Sequence, residues 1–409
     1  MFWGGAHRLE PVSSGTPLDR ASDRAGAFAE FLREETTGGK LLIAATALAL
    51  VWVNVAADSY TGFWDTVVDP GPAWLHLHLT LADWAADGLL ALFFFVAGIE
   101  LKRELVVGEL SDRRAASLPI FAAIGGMIAP ALIAIAASGG AAAADGGWAV
   151  PVATDIAFAL GVLSLAGATL PSGVRAMLLS IAVVDDLLAI ALIALLFTTG
   201  LSIGWMAAGT LACLLYAATF RLGIARAPLL WAIAIIAWIC IHASGIHATV
   251  AGILLGLLTP VRPPADADEA VGERFEHRLH PISAGFCVPV FALSATGISL
   301  SAIGEAIDER VAIGVVAGLL IGKVVGILGG ARLAVALRVG ALPEGVHWAD
   351  VVPVAVLGSI GFTVSLLISQ LAFGDGSPLE ERVAAAILLT SVVASALALV
   401  LLRRRSRPI

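Results

Sequence analysis

Apolar residues along this chain fall in long blocks. Stretches with few or no charges recur from about position 41 to position 402, and roughly 20 such residues cross ~30 Å of hydrocarbon as helix. The pattern predicts an all-α, polytopic membrane protein with twelve spans. They lie near 41–58, 86–105, 117–139, 150–167, 174–198, 203–220, 228–243, 247–259, 282–300, 312–331, 350–373 and 382–402.

Two stretches depart from this pattern. "WLHLHLTL", Trp74 to Leu81, alternates strictly, with leucines on one side and His76, His78 and Thr80 on the other. That period of two predicts a β-strand, with a loop of chance alternation as the other reading, and "DPGP" just before it is a turn signal. A small ribbon outside the membrane would present an open edge, which invites pairing with a second copy. "PVRPPADADEA", Pro260 to Ala270, reads as a linker between eight spans and four.

The expected organisation is a polar N-terminal tail over 1–40 and a transmembrane region over 41–402. The transmembrane region contains a loop with a β-hairpin (59–85) and a cytoplasmic linker (260–281), and a basic tail follows at 403–409. In the first tail, "DRAGAFAEFLREE" suits either a short amphipathic surface helix or a solvated segment. These 40 residues have no apolar core of the secretory type.

Composition agrees with the blocks. The 409 residues are 59% hydrophobic and 14% charged, against about 45–50% and about 25% in soluble domains. Cys213, Cys240 and Cys287 lie in or beside apolar spans without metal-ligand spacing and read as small buried hydrophobes. With a cytoplasmic N-terminus, the inside segments hold 21 Lys and Arg and the outside segments only Arg310 and Arg382. This positive-inside bias supports an even number of spans with both termini cytoplasmic.

Four ionisable residues stand inside spans: Asp155, Asp185, Asp186 and Lys323. A charge at the bilayer centre costs from ~3 kcal/mol to more than about 10, so such residues face a partner or a watered cavity. A buried ion pair that fixes helix packing accounts for one acid and one base. One lysine neutralises one carboxylate, and two acids remain that need protons or a cation. Asp185 and Asp186 are neighbours, so on a helix they point about 100° apart. One can reach the lysine while the other faces a cavity. Carboxylates are natural ligands for small hard cations, and a proton competes for the same oxygens.

Asp155 sits beside Thr154 in "PVATDIAFALG", and Gly358, Gly361 and Thr363 interrupt "VLGSIGFTVS". Broken helix inside a membrane is tolerated where the freed backbone lines a cavity; for the two glycines, close helix packing is an equal reading. The broken stretches are the middle spans of two three-span units, 3–5 and 10–12, which start on opposite sides of the membrane. Broken helices at matching places in inverted repeats mark a transporter's central site. Half-helix ends carry partial charges that Asp155 and Lys323 are suited to offset.

The chain resembles the NhaA-type sodium/proton antiporters in "FFFVAGIELKREL", "ATDIAFALGVL", "VDDLLAI", "SGIHATVAG", "LIGK" and "GFTVSLLIS", in order from about residue 37 onward. The resemblance implies two inverted three-helix repeats in which unwound spans 4 and 11 cross. It implies Asp186 as the main cation ligand, Asp185 as its partner in proton exchange, Lys323 paired with Asp185, and Thr154 and Asp155 completing the site. Glu100, Arg103, Glu104, Glu276, His277 and His280 match a pH-sensing region at the mouth of the cation path; histidine titrates near neutrality. The family's extracellular hairpin joins two protomers, which implies a homodimer. Ala295 stands where asparagine is common, and Val324 where proline is common. His247 reads as a hydrogen-bonded structural residue.

The expected function is electrogenic exchange of cytoplasmic Na⁺ or Li⁺ for external H⁺ in a bacterial cytoplasmic membrane. The partners are the ions, the lipid bilayer and a second copy, with no nucleic acid and no cofactor. No P-loop or other nucleotide motif occurs, so ion gradients would drive the cycle. The competing readings are a non-transporting sensor or scaffold, and an intramembrane aspartyl protease. The protease needs two carboxylates converging on one water, and Lys323 has no role in it.

Overall fold

Uninterrupted runs of Ala, Leu, Ile and Val satisfy their backbone groups within the segment, which is what hydrocarbon demands. The structure, a computed structural model, is accordingly almost all helix. It describes residues 35–144, 146–166, 172–198, 200–263 and 269–405. The expected amphipathic segment near the N-terminus, residues 264–268 of the linker and residues 406–409 lie outside the described residues.

In chain order the main helices are α1 (Glu35–Val55), α2 (Ala57–Trp64), α3 (Leu81–Val106), α4 (Arg113–Ala137), α5 (Ile156–Leu165), α6 (Ser172–Leu196), α7 (Ile203–Arg221), α8 (Ala227–Ala243), α9 (Thr249–Leu258), α10 (Val271–Ile282), α11 (Val288–Ala295), α12 (Arg310–Ala336), α13 (Trp348–Leu357), α14 (Phe362–Phe373) and α15 (Pro378–Arg405). Among the described residues, eight helical segments are long and apolar enough to cross a membrane. The pair α13 and α14, bent by 47°, makes a ninth if taken as one span. Helices α8 and α9 are shorter apolar helices. Large aliphatic side chains such as Leu48, Leu132, Leu195, Leu214 and Val392 are exposed, as lipid-facing residues would be. The chain is a multi-pass membrane protein.

Helix α12 packs along α4, α3 along α9, and α1 against α5 and α11. Glycine makes the first two contacts possible. A Cβ on Gly330 would run into the Phe121 carbonyl, one on Gly326 into the Gly125 carbonyl, and one on Gly322 into Pro130. Gly252 and Gly256 of α9 likewise abut the Ala91 and Phe95 carbonyls of α3. Small residues let helix backbones approach in a solvent as apolar as their own side chains.

The sheet is smaller than the alternation in the sequence predicts. Strands β1 (Val67–Val68) and β2 (Leu79–Thr80) pair antiparallel, Val67 with Thr80 and Val68 with Leu79. Strand structure across Trp74 to Leu81 is not found. Ala73–Leu75 instead forms a 3₁₀ turn capped by the left-handed His76. The Pro72 carbonyl takes the Leu75 N–H at 2.9 Å and Ala73 takes that of His76 at 3.2 Å. A local turn satisfies the groups at the start of the alternation, and only its end, Leu79–Thr80, pairs as strand. Residues 271–281, expected in the linker, belong to helix α10, which runs through a wide π-turn (Ser283–Cys287) into α11.

Candidate ion-binding site

Helix ends build the centre of the molecule. A 3₁₀ stretch (Gly147–Val152) stops at Ala153, and α5 starts only at Ile156. In the other break, α13 ends at Leu357 and α14 starts at Phe362. The two breaks are hydrogen-bonded to each other. The Asp155 N–H donates to the Ile360 carbonyl at 2.6 Å. The Thr154 hydroxyl donates to the Gly358 carbonyl at 2.8 Å, and the Ser365 hydroxyl to the Val150 carbonyl at 2.8 Å. Backbone groups freed by each break are thus satisfied by the other, as buried backbone requires.

Asp155 caps two helices at once. Its Oδ1 accepts the Phe158 N–H at 2.9 Å at the start of α5. Its Oδ2 accepts the Thr363 N–H at 3.0 Å and the Thr363 hydroxyl at 2.7 Å at the start of α14. A carboxylate at two helix N-termini offsets both positive dipole ends. Gly358 and Gly361 have ordinary negative φ (−61° and −90°). They are there for space: a Cβ on Gly358 would lie 2.6 Å from Ile327 of α12, and one on Gly361 would strike Ser365.

Asp185 and Asp186 lie midway along α6, and Lys323 closes a π-turn (Gly318–Lys323) inside α12. The wider turn re-phases the helix, a common device at functional sites. Lys323 Nζ lies 2.6 Å from Asp185 Oδ2, and both side chains are wholly buried. Asp186 is 5% exposed, and its Oδ1 has no hydrogen-bond partner. It feels the charges of Asp185, Asp155, Lys323 and Glu100. Of the three acids, Asp155 is held by three donors and Asp185 by the lysine through Oδ2 alone, so that among the described residues Asp185 Oδ1 and Asp186 Oδ1 are both buried without a hydrogen-bond partner.

Ala295 is buried at the end of α11, and Val324 keeps a backbone N–H that a proline would lack, donated to Ile321. A cavity of about 850 Å³ is lined by Glu109, Arg114, Met177, Ser180, Arg338 and Glu344, among others. Ser180 stands five residues before Asp185 on α6, about 7.5 Å along the helix.

The second group of sequence-selected residues is only partly gathered. Arg103 Nη1 bridges both oxygens of Glu276, at 2.9 and 3.0 Å. Glu104 turns back to accept the Glu109 N–H at 2.9 Å. Glu100, His277 and His280 each have a further interaction. Burial raises the Glu276 carboxyl above its ordinary value, with Arg103 opposing; the half-exposed guanidinium is screened, so burial prevails. Glu269, Glu273 and His277 bring their ligand atoms within 4.8 Å of one another, a partly exposed group of a kind that occurs without an ion.

A third cluster surrounds His247, which the sequence presents as a hydrogen-bonded structural residue; sequence reasoning does not find its partners Asp87 and His242. His247 Nδ1 lies 3.0 Å and His242 Nδ1 3.5 Å from the Asp87 carboxylate. Trp238 donates to the Asp87 carbonyl at 2.9 Å. Asp87 and His242 sit at opposite ends of predicted spans, and no local spacing joins them.

Comparison with known proteins bears on all of this. Over 395 residues the chain is 52% identical to the Na⁺/H⁺ antiporter NhaA 1 of Saccharopolyspora erythraea, covering 95% of this chain and 94% of that protein. It is 52% identical over 383 residues to the NhaA of Nocardia farcinica, covering 92% and 91%. It is 51% identical over 391 residues to NhaA 2 of Frankia alni, covering 94% and 79%. Residues 29–402 match the sequence model of one family, and the chain belongs to it: the family described as Na⁺/H⁺ antiporter 1.

Proposed function

We propose that this chain exchanges Na⁺ or Li⁺ for H⁺ across a membrane by alternating access, with Asp186 as the group at which cation and proton compete. The chain is a transporter and not an enzyme, in keeping with its relatives' names. The observation that carries the reading is a buried pair of carboxylates with one lysine for the two: Lys323 offsets Asp185, Asp186 has no base of its own, and Oδ1 of each lacks a hydrogen-bond partner among the described residues. A buried, unsatisfied carboxylate oxygen is costly, and either a proton or a hard cation removes the cost.

Asp185 exchanges the lysine for a proton during the cycle, and Thr154 and Asp155 complete the cation shell. The cavity that reaches Ser180 is the entry from the cytoplasm. Glu100, Arg103, Glu104, Glu276, His277 and His280 form a pH-responsive group at the cytoplasmic face, with the Arg103–Glu276 pair at its centre. In this reading α8, α9 and the helical path through the π-turn and α11 complete twelve spans, with α10 at the cytoplasmic face. The units α4 to α6 and α12 to α15 are inverted repeats whose broken middle spans cross. Both termini are cytoplasmic in a bacterial inner membrane. The exposed Val67 and Val68 of β1 supply the hairpin edge of a homodimer. Two titrating acids allow more protons than cations per cycle, so exchange is electrogenic; each net charge is worth ~2.3 kcal/mol per 100 mV.

Proteolysis is disfavoured, because Asp155 is tied up by three donors and the Lys323–Asp185 pair has no role in that chemistry. The test is cation-induced collapse of ΔpH in everted membrane vesicles, wild type beside Asp186→Asn, at neutral and alkaline pH. Collapse by Na⁺ or Li⁺ in the wild type alone is the expected result. A wild type silent to Na⁺ and Li⁺ at both pH values overturns the reading.

A further inference from the structure

Three donors hold the Asp155 carboxylate, and they are not alike. The Phe158 and Thr363 N–H groups belong to the first turns of α5 and α14. Withdrawing either means moving a helix. The Thr363 hydroxyl, 2.7 Å from Oδ2, leaves by rotation about a single side-chain bond. Thr363 is 4% exposed and Asp155 2% exposed, so no bulk water replaces a donor that leaves. A cation and a hydroxyl proton are both electrophiles, and they compete for the same lone pairs of Oδ2.

We infer that Thr363 is an affinity-determining positioning residue: its hydroxyl occupies Asp155 Oδ2, and a cation that binds this oxygen must displace it. This rests on the exchange reading above. The Thr363 backbone N–H continues to hold the carboxylate in register when the hydroxyl turns away, so Asp155 gains a cation without losing its place between the two breaks. Thr154 does not play this part, because its hydroxyl is donated to the Gly358 carbonyl.

The variant Thr363→Val keeps the shape and the backbone donor and removes the hydroxyl. Its apparent KM for Na⁺ in vesicles falls at least about threefold, the scale of one buried hydrogen bond, while kcat does not rise, since a tighter ion leaves more slowly. Thr363→Ser restores the wild-type KM. A Thr363→Val KM equal to or above that of the wild type overturns the inference, as does a serine variant that behaves like valine. A measurement independent of transport uses the purified wild type: the infrared difference spectrum between Na⁺ and choline. The carboxylate band that Asp155→Asn removes shifts on Na⁺ addition as the Thr363 hydrogen bond breaks. An unshifted band overturns the inference even if Thr363→Val fails to reach the membrane. If the band shifts but wild-type vesicles do not exchange, the exchange reading falls and the hydroxyl displacement stands.

Discussion

Lys323 and Asp185 meet at 2.6 Å, 138 residues apart in sequence, with neither side chain reaching solvent. Each removes the other's desolvation cost only while both are charged. Breaking such a pair by deleting one partner costs about 3–5 kcal/mol, whereas replacing both is far milder. Lys323→Ala should therefore lower the unfolding free energy of the purified protein by about 3–5 kcal/mol. Adding Asp185→Asn should recover most of that loss. A double variant no more stable than Lys323→Ala would mean that the pair is not what holds α6 to α12 here.

Asp186 and Asp155 should respond oppositely to the same substitution. Asp186 Oδ1 has no partner, and Asp155 accepts three hydrogen bonds. Asp186→Asn removes a charge that costs stability, so the melting temperature stays or rises while exchange is lost. Asp155→Asn replaces one carboxylate oxygen with an NH₂ facing donors, so the melting temperature falls. Nanoscale fluorimetry of the two purified variants decides it, and a lower melting temperature for Asp186→Asn would contradict the argument.

Glycines on α12 should divide sharply by face. Gly314, Gly318, Gly322, Gly326 and Gly330 recur every four residues, and a Cβ on any of them meets atoms of the neighbouring helix or break within 3.0 Å. Gly329, next in the chain to Gly330, has nothing within 4 Å. Gly330→Ala should sharply reduce the folded protein recovered from membranes. Gly329→Ala should be neutral or mildly stabilising, since alanine is the better helix former by about 1 kcal/mol. Equal recovery of the two variants would show that α4 and α12 have room to separate.

These contacts also show what the sequence carries. Charges inside apolar runs are rare enough to stand out, so Asp155, Asp185, Asp186 and Lys323 were legible one by one. The spacing of four on α12 is equally visible, but a search for apolarity passes over glycine. Partners are less legible: the resemblance implies Lys323 with Asp185, which the structure pairs, but nothing in the sequence joins the following residues. Asp155 reaches Thr363 across 208 residues. Asn54 binds Ile298 and Leu300, and Tyr60 the carbonyls of Leu293 and Ser294, across more than 230. Only tertiary packing sets such pairs. The residues from Trp74 to His76 differ in another way: alternation suggests a strand without requiring one, and a turn led by Pro72 forms there instead.

Glu276 gives the last prediction a sign. Burial raises its carboxyl above the ordinary 4.5, against the pull of Arg103. The folded state therefore binds a proton more readily than the unfolded chain does. Its contribution to stability is complete below about the unfolded value and is lost as pH rises through the higher folded value. Thermal melts of the wild type taken upward from pH ~4 should show this decline, and Glu276→Gln, which cannot titrate, should flatten it. The substitution also leaves Arg103 without its bidentate partner, but that guanidinium is half exposed, so the loss is worth at most about 1 kcal/mol; it follows the ionisation of Glu276 and is already part of the net slope. A slope of equal size in Glu276→Gln would place the titration on another group, and the Arg103–Glu276 bridge would then have no part in the response to pH.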